Sequence, residues 1–273
     1  MQPQDLVITL LGTYVRPSGQ PVWSGGLVEL LSEFGFSEGA ARVALTRLVR
    51  RGLLSRERAG RRVHYCVTER CERVLAEGDG RIFGLGHPRP AGDGWTILWH
   101  QLPESRRLQH SRLARRLRFL GFGSVQDGVW ISPHDHVEEV RRLLDELGVS
   151  SLASVFVAVP GTGVEALVAR AWDLSGLAER YESFCGEFSR YVRPRGEVTR
   201  MSDLGAFVVR TRAMHLFRGF PALDPELPEE LAPLGRARGR AVEIFEALFE
   251  GLREPAQRHF DRVARTPVAA PAA

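Results

Sequence analysis

The chain has 273 residues, 44% of them apolar, with 37 basic against 33 acidic side chains. That apolar share excludes a disordered chain, and the length suits two or three domains. No apolar run approaches the roughly 20 residues of a membrane span, and no secretion signal is read. The three cysteines, Cys66, Cys71 and Cys185, form no CxxC pair, so a reducing, cytoplasmic setting is expected.

Leu6–Val15 and Leu27–Phe34 are apolar-periodic and suit two short helices. Ser37 then stands as an N-cap and Gly52 as a C-terminal stop. Between them Ala41, Ala44, Leu45, Leu48 and Val49 recur at helical spacing and define one apolar face. Arg42, Thr46 and Arg50 fall within about 80° of one another on the opposite side, with Arg47 at its edge. Two strand-like runs follow, LLSRER and RRVHYCVT, joined at Ala59-Gly60 as a hairpin, with Arg56, Arg58, Arg61 and Arg62 near its tip. Thr68–Glu77 suits a fourth helix.

Every basic residue is arginine, so only the distribution of the arginines carries information. The stretch Arg42–Thr68 holds eight arginines and a single acid, Glu57, a local charge of +7 in a chain whose net charge is +4. Two helices, a basic helix and a basic hairpin stand in the order of a winged helix-turn-helix. Arginines over a groove neutralise phosphates and release counterions, and a helix fits the major groove, where side chains reach base edges. The candidate DNA contacts are Arg42, Thr46, Arg47, Arg50, Arg51, Arg58, Arg61 and Arg62. A solvated arginine face, or one for an acidic protein, is the plainer reading of charge alone. Helical phase, hairpin and element order together favour DNA.

The glycine- and proline-rich stretch with Pro88, Pro90 and Asp93 reads as a linker. Trp95–Gln101 alternates like a strand, Ser105–Leu120 is a basic amphipathic helix, and Gly123–Val125 and Val129–Ser132 suit short strands. His136–Leu147 is a helix, and Leu152–Val159 a strand stopped by Pro160-Gly161. This βαββαβ order is the ferredoxin-like arrangement. Val164–Trp172, Leu177–Tyr191, Leu204–Arg218 and Gly239–Leu252 make the remainder mostly helical. The expected organisation is α+β and multidomain: 1–80 a winged helix-turn-helix, 81–94 a linker, 95–161 a ferredoxin-like middle domain, 162–265 a helical effector and dimerisation domain, and 266–273 a flexible tail.

The segments LVITLLGTYVRPSGQPVW, RLVRRGLLSRERAGRRVHYCVT, GWTILWHQLPESRR, GVWISP and FVVRTRAMHLFRGFPALDPELPEEL resemble the PaaX family of transcriptional repressors over nearly the whole chain. The resemblance implies a cytoplasmic homodimeric regulator that binds an operator and releases it on meeting an acyl-CoA such as an aryl-CoA thioester. Arg210, His215 and Arg218 match the family pattern. They are candidates for the effector phosphates in a cleft between the middle and C-terminal domains, since arginine suits bidentate phosphate contacts. Trp95, Trp99 and Trp130 are candidates to wall its acyl pocket. Asp224 in the following turn is expected to pair with Arg218 or His215.

In the family the middle domain is similar to the small nuclease subunit of CRISPR adaptation, which raises a metal-dependent nuclease as an alternative. Such an enzyme needs a carboxylate at the end of the first strand. That strand ends in LWHQLPE, offering His100 and, beyond Pro103, Glu104. In His134-Asp135-His136 the aspartate reads as a helix N-cap rather than a ligand. With no nucleophile-base pair, GxSxG or phosphate loop, neither an enzyme nor a metal or cofactor is expected. A DNA-binding adaptor without a small ligand is the other alternative.

Overall fold

The computed structural model describes residues 1–87, 94–159, 161–228, 230–232 and 234–265. Linker residues 88–93, the strand stop at Pro160 and the expected tail 266–273 lie outside the described residues. Among the described residues the chain forms eleven α-helices and two small antiparallel sheets. The described residues divide into two compact units, one drawn from 1–83, 184–218 and 243–265, the other from 84–183 and 219–242.

In the first unit, α1 (Pro3–Leu10) runs into a π-helical turn at Leu11–Val15. A two-residue strand, β1 (Val22–Trp23), precedes α2 (Ser24–Ser32) and α3 (Glu38–Arg50). β2 (Leu54–Ala59) and β3 (Arg62–Val67) form the hairpin, and β1 pairs with β3. β1 is too short to leave a periodic signal in the sequence. The hairpin turn falls at Gly60-Arg61, one residue later than expected, because Ala59 still pairs with Arg62. Gly60 takes φ +61°, a left-handed position that favours glycine.

α4 (Glu69–Ile82) is capped by Thr68, whose hydroxyl accepts the Cys71 N–H. It runs five residues past its expected end, through Gly78 and Gly80. Each glycine costs a helix interior about 1 kcal/mol against alanine. The tertiary structure offsets this: Arg16 bonds Glu72 at 3.0 Å and also grips Asp79, while Phe83 packs on Phe245 and Phe249.

α9 (Asp203–Phe217), α11 (Arg253–Ala264) and parts of α8 (Leu174–Phe188) and α10 (Gly235–Gly251) complete this unit. α9 is buried on nearly every side, with Ala206, Phe207, Thr211, Ala213, Met214 and Phe217 all inside. Its neighbours are α1 and α11, and α11 also packs on α2. Tyr14 stacks on Phe260 at 5.0 Å, lies 5.3 Å from Phe207, and shares a 2.8 Å hydrogen bond with Thr211. The C-terminal helices therefore share one core with α1 and α2.

The second unit is built on a sheet of order β5-β6-β4-β7, where β4 is Trp95–His100, β5 Gly123–Gln126, β6 Val129–Ser132 and β7 Ala153–Ala158. All its pairings are antiparallel. α5 (Arg107–Phe119) follows β4 and α6 (Val137–Leu147) follows β6. Leu98, Leu113, Leu117, Trp130, Val140 and Leu144 form their shared core. α7 (Val164–Ala171) packs on β5, and Trp172 donates its indole N–H to the Gly121 carbonyl at 3.2 Å.

A buried polar cluster ties the rest of this unit together. Asp224, 2% exposed, accepts the Tyr181 hydroxyl at 2.6 Å and two bonds from Arg238 at 2.6 and 2.8 Å. This corrects the expected pairing of Asp224 with Arg218 or His215. Arg238 reaches it because α10 begins at Gly235 rather than at Gly239.

Candidate nucleic-acid interface

The basic helix α3 is seated by its own sequence. The Ser37 hydroxyl accepts the Ala40 N–H at 3.3 Å, and Ala41, Ala44, Leu45 and Leu48 are buried. At its end Leu53 N–H bonds the Leu48 carbonyl and Gly52 N–H that of Val49, with Gly52 at φ +67°. That is a Schellman stop, and it turns the chain directly into the hairpin. The apolar face points inward, so Arg42, Arg47 and Arg50 are exposed, as is Arg51 at the C-cap. Thr46 is half-buried and donates to the Arg42 carbonyl at 2.9 Å.

Arg42 and Thr46 of α3 meet Arg56 and Arg58 of β2 around one concavity of about 660 Å³, together with Glu57 and Tyr65. Arg56 reaches across to the Thr46 hydroxyl at 3.4 Å, and its guanidinium lies 5.8 Å from the Tyr65 ring centre. Arg42 is held by Glu38 at 2.7 Å, but both side chains are more than 60% exposed. Such a pair is worth about 0.3–0.5 kcal/mol and yields readily to a phosphate. Arg47, Arg50, Arg51 and Arg61 line no part of this concavity, and Arg62 lies over Trp23 at 5.6 Å. The sequence places Arg56 near the hairpin tip but not among the candidate DNA contacts. Strand alternation puts it on the same face as Arg58, and that signal identifies it.

Sequence profiles place the chain among known proteins. Residues 2–71 match "PaaX-like protein", residues 88–167 "PaaX protein central Cas2-like domain", and residues 172–262 "PaaX-like protein C-terminal domain". The chain belongs to the PaaX family. Transcriptional repressor PaaX of Escherichia coli (strain K12) is 31% identical over 239 residues, covering 84% of this chain and 73% of that protein. An uncharacterized protein from Mycobacterium tuberculosis has a similar fold, with a TM-score of 0.52 at 23% identity over 90% of this chain and 95% of that one.

In this PaaX-family chain the residues matched to an effector are distributed between the two units. Arg210 is 3% exposed and donates from Nε to the Phe249 carbonyl at 2.8 Å. His215 shares a 3.0 Å hydrogen bond with Thr9, and Arg218 donates to the Thr9 hydroxyl and the Asp5 carbonyl at 3.0 and 3.2 Å. All three belong to the first unit, and His215 and Arg218 fasten α9 to α1. Burial pulls the His215 imidazole down to about 4, helped by the Arg218 charge. The tryptophans belong to the second unit, and strand alternation separates them. Trp130 is in register with Leu98 and shares its face, whereas Trp95 and Trp99 point to the other side of β4. Trp130 is buried under Arg118, Trp95 meets Trp172 edge-on, and Trp99 is 45% exposed. They do not form one wall.

The nuclease candidates are also placed. His100 is buried at the end of β4, and burial followed by the neighbouring His110 lowers its pKa. Glu104 lies in a short 3-10 turn, is 91% exposed, and sits 3.7 Å from Arg107. Asp135 accepts the Val137 N–H at 3.0 Å, and His136 bonds Glu139 at 3.2 Å. Among the described residues no group of three or more His, Cys, Asp or Glu could hold a metal ion. No helix among them is long and apolar enough to cross a membrane.

Proposed function

We propose that this chain is a sequence-specific DNA-binding transcriptional repressor that acts in the cytoplasm as a homodimer on an inverted repeat, without catalysing a reaction. Its family and its repressor relative support this reading. The observation that carries it is the concavity between α3 and the hairpin, where Arg42, Thr46, Arg56 and Arg58 converge from two elements. The order helix, helix, exposed basic helix, basic hairpin supports a winged helix-turn-helix. On that reading α3 enters the major groove and the hairpin tip, with Arg61 and Arg62, lies along the backbone or minor groove. The strand order β5-β6-β4-β7 sets the first and third strands of a βαββαβ unit at the centre, which supports a ferredoxin-like middle domain.

The family resemblance further points to release by a small effector, an acyl-CoA. The whole reading is tested by footprinting on the promoters flanking the gene. A defined protected sequence is expected, and its protection should vanish in an Arg42→Ala, Arg56→Ala double variant of unchanged melting temperature. Undiminished protection by that variant would reject α3 and the hairpin as the DNA-reading elements.

A further inference from the structure

The first unit contains a second cavity, of about 740 Å³, that shares no lining residue with the basic concavity. Its walls come from the π-helical turn (Thr13, Tyr14), the end of α4 (Phe83), α9 (Arg210, Met214), α10 (Phe249) and α11. Its size lies in the range of pockets for small organic ligands. Three observations indicate what it accepts.

Arg210 is the first. Its side chain is almost wholly buried, its guanidinium carbon lies 4.0 Å from the centre of the Phe249 ring and 5.3 Å from that of Tyr14, and its Nε donates to the Phe249 carbonyl. Among the described residues no carboxylate forms an ion pair with it. Of the other charged groups around the cavity, Arg258 is paired with Asp203 at 2.8 Å, Arg265 with Asp261 at 2.8 Å, Arg253 with Glu250 at 2.6 Å and Asp79 with Arg16, while Glu254 is exposed. A buried cation without a counter-ion, beside empty space, is an anion site of unit charge. Burial lowers the Arg210 pKa, while the neighbouring Tyr14 raises it.

Thr13 is the second. It is 5% exposed, lines the cavity, and its hydroxyl has no hydrogen-bond partner. Nearly all buried hydroxyls are bonded, and an orphan on a cavity wall awaits a polar ligand atom. The π-helical turn that carries it is the third. Such turns are rare and cluster at functional sites. Tyr14, Phe83, Met214 and Phe249 give the cavity an apolar part, with Phe249 and Tyr14 beside the Arg210 guanidinium, while Ser18, Gln257 and the charged groups line the rest.

We propose that this cavity binds a small organic acid with an apolar, aryl or alkyl, body, its carboxylate on Arg210 and one oxygen on the Thr13 hydroxyl. The site rests on the repressor reading only for its consequence. The ligand would bridge α1's extension to α9 and α11, and α1 packs on α3, so occupancy changes the seat of the basic helix. This differs from a site chosen for CoA phosphates, because one buried guanidinium matches one charge.

Calorimetry without DNA tests the site by itself. The probes are benzoate, 3-phenylpropanoate and octanoate, with their CoA thioesters as the second arm. Saturable binding of at least one free acid is expected, weakened ten-fold or more in Arg210→Gln. Because that variant can fail to fold, Thr13→Val is the second: it keeps the shape and removes the orphan hydroxyl. It should weaken binding several-fold while leaving the melting temperature unchanged or raised, whereas a structural hydroxyl would lower it. No saturable binding of any free acid, binding of thioesters alone, or equal affinity in wild type and Thr13→Val would each overturn the site. Gel shifts with the same acids address the repressor reading separately, since loss of operator binding can fail while the calorimetric signal stands.

Discussion

Asp224 depends heavily on its partners. Its two oxygens are filled by Arg238 and Tyr181, in a place that water does not reach. Removing one partner of a buried ion pair leaves the other charged and unsolvated, at a cost of about 3–5 kcal/mol. Tyr181→Phe removes one hydrogen bond to a charged group, about 1.5–3 kcal/mol, and leaves the ion pair intact. Urea denaturation should therefore rank Arg238→Met below Tyr181→Phe in stability, and a reversed order would show that the ion pair contributes little. His215 sets a pH dependence. Its folded pKa of about 4 lies below the ordinary histidine value of 6.5, because burial and Arg218 disfavour the imidazolium. Between those values the unfolded chain binds more protons than the folded one, so folding stability rises with pH and is lost as pH falls from about 6.5 to 4. His100, also lowered by burial, acts in the same direction. The loss of melting temperature across that window should shrink in His215→Gln, and an unchanged pH profile would remove His215 as its source.

At the scale of elements, α11 shows both what sequence discloses and what it does not. Helices with a single apolar stripe, such as α3, and strands bounded by glycine are legible, because period and caps are local. α11 is absent from the expected helices. It follows α10 after the single residue Leu252, and the glycine and proline that mark the joint, Gly251 and Pro255, lie inside the two helices rather than between them. Its partners, α2 and α9, are far away in sequence. The pairing of Asp224 with Arg238 is hidden for the same reason, since it depends on where α10 begins, and the orphan hydroxyl of Thr13 is defined only by its surroundings. The packing of α2 on α11 makes a prediction opposite in sign to helix propensity. Gly26→Ala would ordinarily favour a helix by about 1 kcal/mol. Here the new Cβ would fall 2.4 Å from the Val263 carbonyl oxygen and 2.6 Å from the Ala264 Cα, both backbone atoms that cannot step aside. The substitution should lower the melting temperature and speed amide exchange in α11. A more stable Gly26→Ala protein would show that α11 is not held against α2. The hairpin carries its own expectation: Arg61→Ala and Arg62→Ala should weaken binding to all DNA sequences alike and flatten the salt dependence by about 0.9 for each phosphate left without its arginine. Selective weakening of operator binding would instead move these arginines to base edges.

On the proposed repressor reading, the whole molecule must solve a problem that one α3 cannot. A single helix in one major groove reaches only a few base pairs, and a genome offers very many competing sites. Two copies related by a two-fold axis double the sequence read and demand that the operator share their symmetry. The half-sites should then lie about 10–10.5 base pairs apart, or a multiple of that, so that both basic helices meet the same face of the duplex. Inserting five base pairs between the half-sites rotates one of them by about half a helical turn, and inserting ten restores the face at a greater distance. Footprinting and gel shifts on these three operators decide the matter. Strong binding to the native spacing, loss on the five-pair insertion and a complex of two chains per operator are the expected results. Equal binding to all three, or a stoichiometry of one chain on an isolated half-site, would mean that this protein reads DNA as a monomer.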